Sequence, residues 1–280
     1  MNRGRRPGRG AGHAPAPRAR EGNPMDPLLS NLLYDHPELY EEIYPDTETD
    51  IPGMCRRLFA EHGAPAPGTL LDIGCGTGRH LEYFTGAGYD CVGVDYQEPM
   101  VAFARGRRPG LDFRAGDMRT LRLGRTFTAV TCLGWALSNV HSNADLHRAT
   151  ETFAAHSAPG TLLFLHVPNA IATPEGHAFQ QRFSIDTPGF RATAEADYRL
   201  DRRNQLLVRT RDWRIPGRAP LRDHVRFRLL FPKELEGYLT AHGFTVLAMY
   251  DNTAAAASEL TGEALYVLAR FDGTGAAARP

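Results

Sequence analysis

Lysine is almost missing from this chain. Only Lys233 stands among 32 lysines and arginines, so arginine carries nearly all the positive charge. We read this as coding bias, not chemistry. Cysteine is scarce too: Cys55, Cys75, Cys91 and Cys132, with no C-x-x-C pair and no cysteine–histidine spacing of a zinc site. Reduced thiols in a cytoplasmic protein without a bound metal are therefore expected. No apolar run approaches the roughly 18 residues of a membrane span, and no hydrophobic stretch follows the Arg5-Arg6 pair as an export signal requires. Net charge is also absent, because 32 acidic residues balance 32 basic ones. The balance is uneven along the chain. Residues 1–24 hold six arginines against one glutamate, which leaves the remainder mildly acidic. An acidic body argues against a nucleic-acid partner.

What is present is organised around Thr69–Gly78. Leu70, Leu71 and Ile73 form a short apolar run of the kind that makes a buried parallel strand. The run breaks into Gly74-Cys75-Gly76-Thr77-Gly78 and resumes at Arg79 as a plausible helix. A strand–glycine-turn–helix unit brings backbone close to a ligand, because glycine has no Cβ to block approach. The helix start adds free N–H groups and the positive end of a dipole. A dinucleotide fingerprint needs a further glycine where this chain has Arg79. Asp72, two residues before the first glycine, would repel a pyrophosphate but accept hydrogen bonds from a cationic ligand.

At 280 residues the chain can bury one full core of about 220–250 residues plus a tail. Residues 1–24, rich in Gly, Pro, Ala and Arg, read as a disordered basic tail. Residues 25–64 read as an N-terminal helical lid, with Leu28, Leu29, Leu32 and Leu33 at helical spacing and three tyrosines, Tyr34, Tyr40 and Tyr44. Residues 65–170 alternate strand and helix, which implies a parallel sheet with helices on both faces. Residues 171–231 break the alternation and suggest an antiparallel insert of about three strands. Within it, Val225, Phe227, Leu229 and Phe231 alternate with His224, Arg226 and Arg228. Residues 232–272 return to the core with a helix from Pro232 and two closing strands, and 273–280 form a tail. The predicted fold is α/β: a doubly wound, mostly parallel seven-stranded sheet of Rossmann type, with the lid and an antiparallel insert before the last helix.

In such sheets ligands bind outside the carboxyl ends of the strands. Those ends carry Gly74–Gly78, Asp95-Tyr96, Asp117-Met118, Leu133–Asn139 and His166–Asn169. A carboxylate at Asp95 can accept both hydroxyls of a ribose. An acceptor at Asp117 can take an adenine amino group, with Met118 against the ring. Taken together, Asp72-Ile-Gly74-Cys-Gly76-Thr-Gly78, Asp95 and Asp117 resemble class I S-adenosyl-L-methionine (SAM) methyltransferases over roughly residues 36–270. Glu38-Leu39-Tyr40-x-x-x-Tyr44, Gly116-Asp117-Met118-Arg119 and Phe127–Cys132 are similar to bacterial small-molecule members, including N-methyltransferases of nucleotide-linked amino sugars.

The resemblance implies SAM as cofactor and S-adenosyl-L-homocysteine as product. It implies cofactor contacts from Tyr44, Asp72, Gly74, Cys75, Gly76, Gly78, Asp95, Tyr96, Asp117, Met118, Leu133 and Trp135. The acceptor is expected to be a small molecule of natural-product biosynthesis, met by Tyr40, Asn139 and His141 as candidate catalytic groups. The amino-sugar enzymes often place a histidine in the fourth-strand loop; here that position is Asn139, with His141 two residues on. Arg209, Arg211, Arg226 and Arg228 lie on polar faces of the insert, where two or more turned inward would imply an anionic acceptor. Three alternatives stay open: a SAM-utilising enzyme that releases methylthioadenosine by cyclisation or aminocarboxypropyl transfer, a binding protein that keeps the fold without turnover, and, more distantly, a NAD(P) oxidoreductase. Pairing of the insert with its copy in a homodimer is also left open.

Overall fold

The computed structural model describes residues 31–44, 50–172 and 181–273. The basic tail expected at 1–24, Leu28 and Leu29 of the lid, and positions 274–280 lie outside them.

Seven strands form the main sheet: β1 (Gly68–Ile73), β2 (Tyr89–Asp95), β3 (Asp112–Ala115), β4 (Phe127–Cys132), β5 (Ser157–Pro168), β10 (Phe244–Tyr250) and β11 (Ala264–Phe271). Their order is β10-β11-β5-β4-β1-β2-β3. The pairs from β5 to β3 are parallel, and β11 joins both β5 and β10 antiparallel. The expected α/β architecture is thus present, with the closing hairpin at one edge. The alternation of side chains fills both faces. Leu71, Ile73, Val92, Val94, Val130 and Leu163 pack with α6 (Asn143–Ala155) and α7 (Pro232–Ala241). Leu70, Cys91, Ala129, Leu162 and Phe164 pack with α3 (Ile51–Glu61), α4 (Arg79–Gly86) and α5 (Glu98–Arg107). A sheet buried on both sides explains why its central strands read as apolar runs.

Helix ends follow from local chemistry. The Ser142 hydroxyl accepts from Asp145 N at 3.1 Å to start α6. Pro232 opens α7, where its missing N–H costs nothing. Gly243, at φ +87°, ends it. No described helix is long and apolar enough to cross a membrane.

Of the helices expected in a lid at 25–64, α1 (Leu32–Asp35) and α2 (Pro37–Ile43) pack on the insert, whereas α3 packs on the main sheet and is part of its core; α1 and α2 thus constitute the lid. The insert is a separate antiparallel sheet of four strands, not three: β6 (Arg182–Thr187), β7 (Phe190–Asp201), β8 (Leu206–Arg214) and β9 (Leu221–Arg228), in that order. The unforeseen strand, β6, is short and polar on alternate residues, and pairs along β7 from Arg182↔Glu195 to Thr187↔Phe190.

Lid and insert share a core of Leu32, Leu33, Leu39, Phe183, Ile185, Ala192, Ala194 and Trp213. A buried network pins them together. The Asp223 carboxylate accepts from Arg211 Nε and Nη2, from Trp213 Nε1 at 2.7 Å and from the backbone N–H of Leu32 at 3.2 Å. Arg211 also donates to Asn31 Oδ1 at 2.6 Å. Arg211, Trp213 and Asp223 are all fully buried. Removing one partner of such a pair leaves an uncompensated charge in low dielectric. Asp223→Ala is expected to lower unfolding free energy by about 3–5 kcal/mol in urea denaturation and to loosen the lid in hydrogen exchange at Leu32.

Candidate functional site

At the carboxyl ends of β1 to β4 the structure forms one cavity that opens to solvent. Ile73, Gly74 and Gly76 come from the first strand and its turn, Asp95, Tyr96, Gln97 and Met100 from the end of β2 and the start of α5, and Gly116 and Met118 from after β3. Gly134, Ala136 and Asn139 come from the loop after β4, while Tyr34 and Tyr40 close it from the lid.

The glycine turn is dictated by crowding. Gly74, Gly76 and Gly78 all have positive φ, at +83°, +55° and +84°. A Cβ on Gly74 would meet that of Ala136 at 2.3 Å, and one on Gly78 would meet the Phe113 ring at 2.4 Å. The N–H groups of Gly74 and Cys75 both donate to Val94 O, which ties the turn to β2. Asp95 then joins the two turns: Oδ2 accepts from Gly76 N and Oδ1 from Gln97 N, each at 2.8 Å. Burial pushes the Asp95 carboxyl above its ordinary range, and these N–H groups oppose the shift.

The Tyr34, Tyr40 and Tyr44 rings run in series, tilted by 43° and 53°, with centroids 6.4 and 5.0 Å apart. Arg79 holds this series from below. Its guanidinium lies 5.9 Å from the Tyr40 ring centroid and donates to the backbone oxygen of Tyr44. The residue that spoils the dinucleotide fingerprint thus fastens the lid. Burial, reinforced by the neighbouring tyrosines, raises the Tyr40 phenol. At neutral pH it stays protonated, a hydroxyl able to donate a hydrogen bond and not a base.

Of the candidate residues, Tyr40, Asn139, Gly74, Gly76, Asp95, Tyr96 and Met118 line the cavity. The others do not, for different reasons. Trp135 adopts a left-handed backbone, φ 65°, and its indole turns to Phe227, 5.5 Å between centroids. Its Nε1 lies 3.2 Å from His166 Nε2. The ring nitrogens of His166 are thus engaged by the loop, Nδ1 lying 3.2 Å from Gly134 N, and burial lowers its pKa to about 3. His141 points to the insert, with Nε2 3.0 Å from Arg226 O. Leu133 is buried in the helix layer with Cys75. Gly78 packs on Phe113, and Tyr44 stands behind Tyr40.

Asp117 is at the rim, but Arg119 clasps it through Nε and Nη2, the latter 2.6 Å from Oδ2. Burial would raise this carboxyl; the Arg119 hydrogen bonds outweigh it and hold the group below the usual range. Tyr34, Ile73, Gln97, Met100, Gly116, Gly134 and Ala136 line the cavity without having been named as site residues. Gln97 and Met100 had a signal, since they follow Asp95 into the first turn of α5.

Asp72 lies beneath the cavity floor, fully buried. Oδ1 accepts from Thr131 Oγ1 at 2.8 Å, while Oδ2 has no partner. Burial raises its pKa to about 7, with Asp95 adding to the shift and Thr131 opposing it. The arrangement fits an adenosine-sized cationic ligand: glycines that admit no side chain, three acidic groups in, at or under the rim, and tyrosine faces above. A raised folded pKa means that the folded protein binds the proton more tightly than the unfolded chain. The Asp72 contribution is therefore full below about pH 4 and is lost as pH rises through about 7. The difference in stability between Asp72→Asn and the parent is expected to shift in the variant's favour across that window, by about 1.4 kcal/mol per unit of pKa shift. Urea melts of both proteins at pH 4 to 8 measure it.

The geometry has known counterparts. A family model described as "Methyltransferase domain" matches residues 48–249. The dTDP-3-amino-3,4,6-trideoxy-alpha-D-glucopyranose N,N-dimethyltransferase of Streptomyces venezuelae is 34% identical over 128 residues, 45% of this chain and 54% of that protein. The dTDP-3-amino-3,6-dideoxy-alpha-D-glucopyranose N,N-dimethyltransferase of Streptomyces fradiae is 32% identical over 162 residues, 57% and 59% respectively. The chain thus matches little more than half the length of these curated relatives. Among solved structures, the SAM-bound amino pentose methyltransferase of Micromonospora echinaspora superimposes with a TM-score of 0.69 at 26% identity, covering 86% of this chain and 99% of that one. The sugar N-methyltransferase of Streptoalloteichus sp. has the same fold, with a TM-score of 0.71 at 20% identity over 93% and 100% of the two chains. With glycine turn, Asp95 and cavity placed as described, and most of its length matched, this chain belongs to the methyltransferase domain family.

Proposed function

We propose that the protein is a SAM-dependent methyltransferase that methylates an amine on a small molecule, with an amino sugar of natural-product biosynthesis as the acceptor class. The carrying observation is the makeup of the cavity. It has a glycine cradle, an aromatic cover and, among the described lining residues, one carboxylate, Asp95, whose oxygens are already engaged by the N–H groups of Gly76 and Gln97. Amino-sugar N,N-dimethyltransferases among the relatives support the same acceptor class.

In this reading Asp95 receives the ribose hydroxyls on the lone pairs that Gly76 and Gln97 leave to it. Gly74 and Gly76 admit the amino-acid end of the cofactor. Met118 lies along the adenine, and Asp117, outside the lining and clasped by Arg119, meets the adenine amino group only through a lone pair that the clasp leaves free. Bound there, SAM supplies an activated methyl group on a sulfonium, whose charge the tyrosine faces favour. Tyr40 donates a hydrogen bond that orients the acceptor, Asn139 borders it, and the lid excludes water. Orientation of this kind supplies up to about 7–11 kcal/mol of barrier lowering. A neutral amine already carries its lone pair, so tyrosines held protonated and an amide suffice; a hydroxyl would call for a base.

Calorimetric titration is expected to give micromolar SAM binding. Asp95→Ala is expected to weaken it at least about a hundredfold through the loss of two hydrogen bonds to a charged acceptor. A parent protein that ignores SAM overturns the proposal. Incubation with SAM alone separates it from aminocarboxypropyl chemistry: S-adenosylhomocysteine should form only when an amine acceptor is added, whereas release of methylthioadenosine without acceptor would favour the alternative.

A further inference from the structure

Two buried guanidiniums fasten the lid, and they fasten it to different parts of the molecule. Arg211 joins it to the insert. Arg108, the residue that caps the end of α5, joins it to the glycine turn. The Arg108 side chain is only 7% exposed, and each of its nitrogens serves a different element. Nε donates to Glu82 of α4 at 2.8 Å, Nη1 donates to the Thr77 carbonyl of the turn at 2.9 Å, and Nη2 lies 2.9 Å from Glu41 Oε1 of α2. Glu82 is mostly exposed, so water screens that arm. The arms to Thr77 and Glu41 are the ones that count, and Arg108 is not among the residues that line the cavity.

Both of these arms bear on the site. Thr77 belongs to the turn whose Gly74 and Gly76 line the cavity, so a hold on its carbonyl fixes the peptide that leads into α4. Glu41 fixes the rotation of α2. Successive helical residues point about 100° apart, and three in a row here have separate destinations. Leu39 enters the core shared with the insert, Tyr40 faces the cavity, and Glu41 meets Arg108. Helices of four and seven residues do not hold their shape alone. The height of Tyr40 above the glycine turn therefore comes from such ties. The contact with Glu41 is made by charge but not by direction: Oε1 is buried at ion-pair distance, yet no donor is aligned on it for a hydrogen bond. A small movement of α2 toward the turn would bring the guanidinium fork and the carboxylate into line.

We propose that Arg108 is a positioning residue that couples occupation of the glycine turn to the seating of the lid. A cofactor resting on the turn fixes Thr77, Arg108 carries that setting to Glu41, and α2 brings Tyr40 over the transfer site. The inference rests on the methyl-transfer reading and adds to it a link between cofactor and lid through a side chain outside the cavity lining. Such coupling is reciprocal: the factor by which the cofactor steadies the lid is the factor in cofactor affinity lost when the lid is released.

The test uses the full chain, with S-adenosylhomocysteine as the probe. Glu41→Gln removes the charge at the lid end and leaves Arg108 on Thr77; Arg108→Gln removes the link itself; a double variant combines them. Calorimetry measures probe affinity. Hydrogen exchange follows the N–H groups of Tyr40 and Tyr44, bonded to the carbonyls of His36 and Tyr40, with and without the probe. In the parent the probe should slow their exchange about tenfold or more. Glu41→Gln should lose most of that slowing and bind the probe about tenfold more weakly, with exchange in β1 and β4 unchanged. Arg108→Gln should bind at least as weakly, and the double variant no more weakly than Arg108→Gln, because both changes cut one link. Should Arg108→Gln fail to fold, Glu41→Gln decides alone. A purely structural ion pair predicts faster α2 exchange by the same factor with and without the probe, and unchanged affinity. That result, losses that add in the double variant, or a parent whose α2 exchange ignores bound probe overturns the proposal. A parent that does not bind the probe strikes the methyl-transfer reading instead. The ligand-free rates then judge the tie: faster exchange at Tyr40 and Tyr44 in Glu41→Gln upholds it, and unchanged rates overturn it.

Discussion

The cavity depends on one carboxylate that binds backbone before it binds anything else. Asp95 ends β2 and receives the N–H of Gly76 on one oxygen and that of Gln97 on the other. The first contact fixes the glycine turn after β1. The second fixes the entry into α5, which brings Met100 to the wall. Because β1 and β2 are parallel and in register from Gly68↔Tyr89 to Ile73↔Val94, both turns emerge on the same side of the sheet. Strand pairing brings them together, and the Asp95 side chain sets their spacing. Its burial is costly, and the two N–H groups offset that cost in the absence of ligand.

Above this floor the lid and the insert are joined by charge in an interior where charge is expensive. The Arg211–Asp223 pair recovers its desolvation by saturating Asp223 with four donors, one of them the backbone of the first lid helix. Position of the lid is therefore encoded in the insert, some 190 residues along the chain. Arg79 and Arg108 add ties from the core, to the Tyr44 carbonyl and to Glu41. The tyrosine series is held from two directions, which suits faces that must meet a cation at a set height.

Much of this was legible in the sequence. The central strands announce themselves because both faces are buried, and the runs of β1 and β2 end at Gly74 and Asp95. That pattern alone places Gly74, Gly76, Asp95 and Met118 on one rim. Strand β6 was not legible: Arg182, Ser184 and Asp186 interrupt it, and its identity comes from pairing with β7. Nor were the directions of side chains in the fourth-strand loop. Position in the chain puts Trp135, Asn139 and His141 in one loop. Only the left-handed backbone of Trp135 sends its indole to Phe227, and the 3₁₀ turn Ala136–Asn139 leaves the amide facing inward. The clasp of Asp117 by Arg119 was within reach, since the two lie two residues apart.

The hold of Arg79 on the lid has an unequal character at its two ends. The acceptor is a main-chain oxygen, which every residue type possesses, so position 44 can drift through mutation while the latch survives. The donor is a side chain with no substitute of equal reach and shape. Variation in relatives of this protein should accordingly be freer at the tyrosine than at the arginine, and a glycine at position 79 would turn the first turn of α4 back toward a nucleotide-loop geometry while releasing the cover over the site.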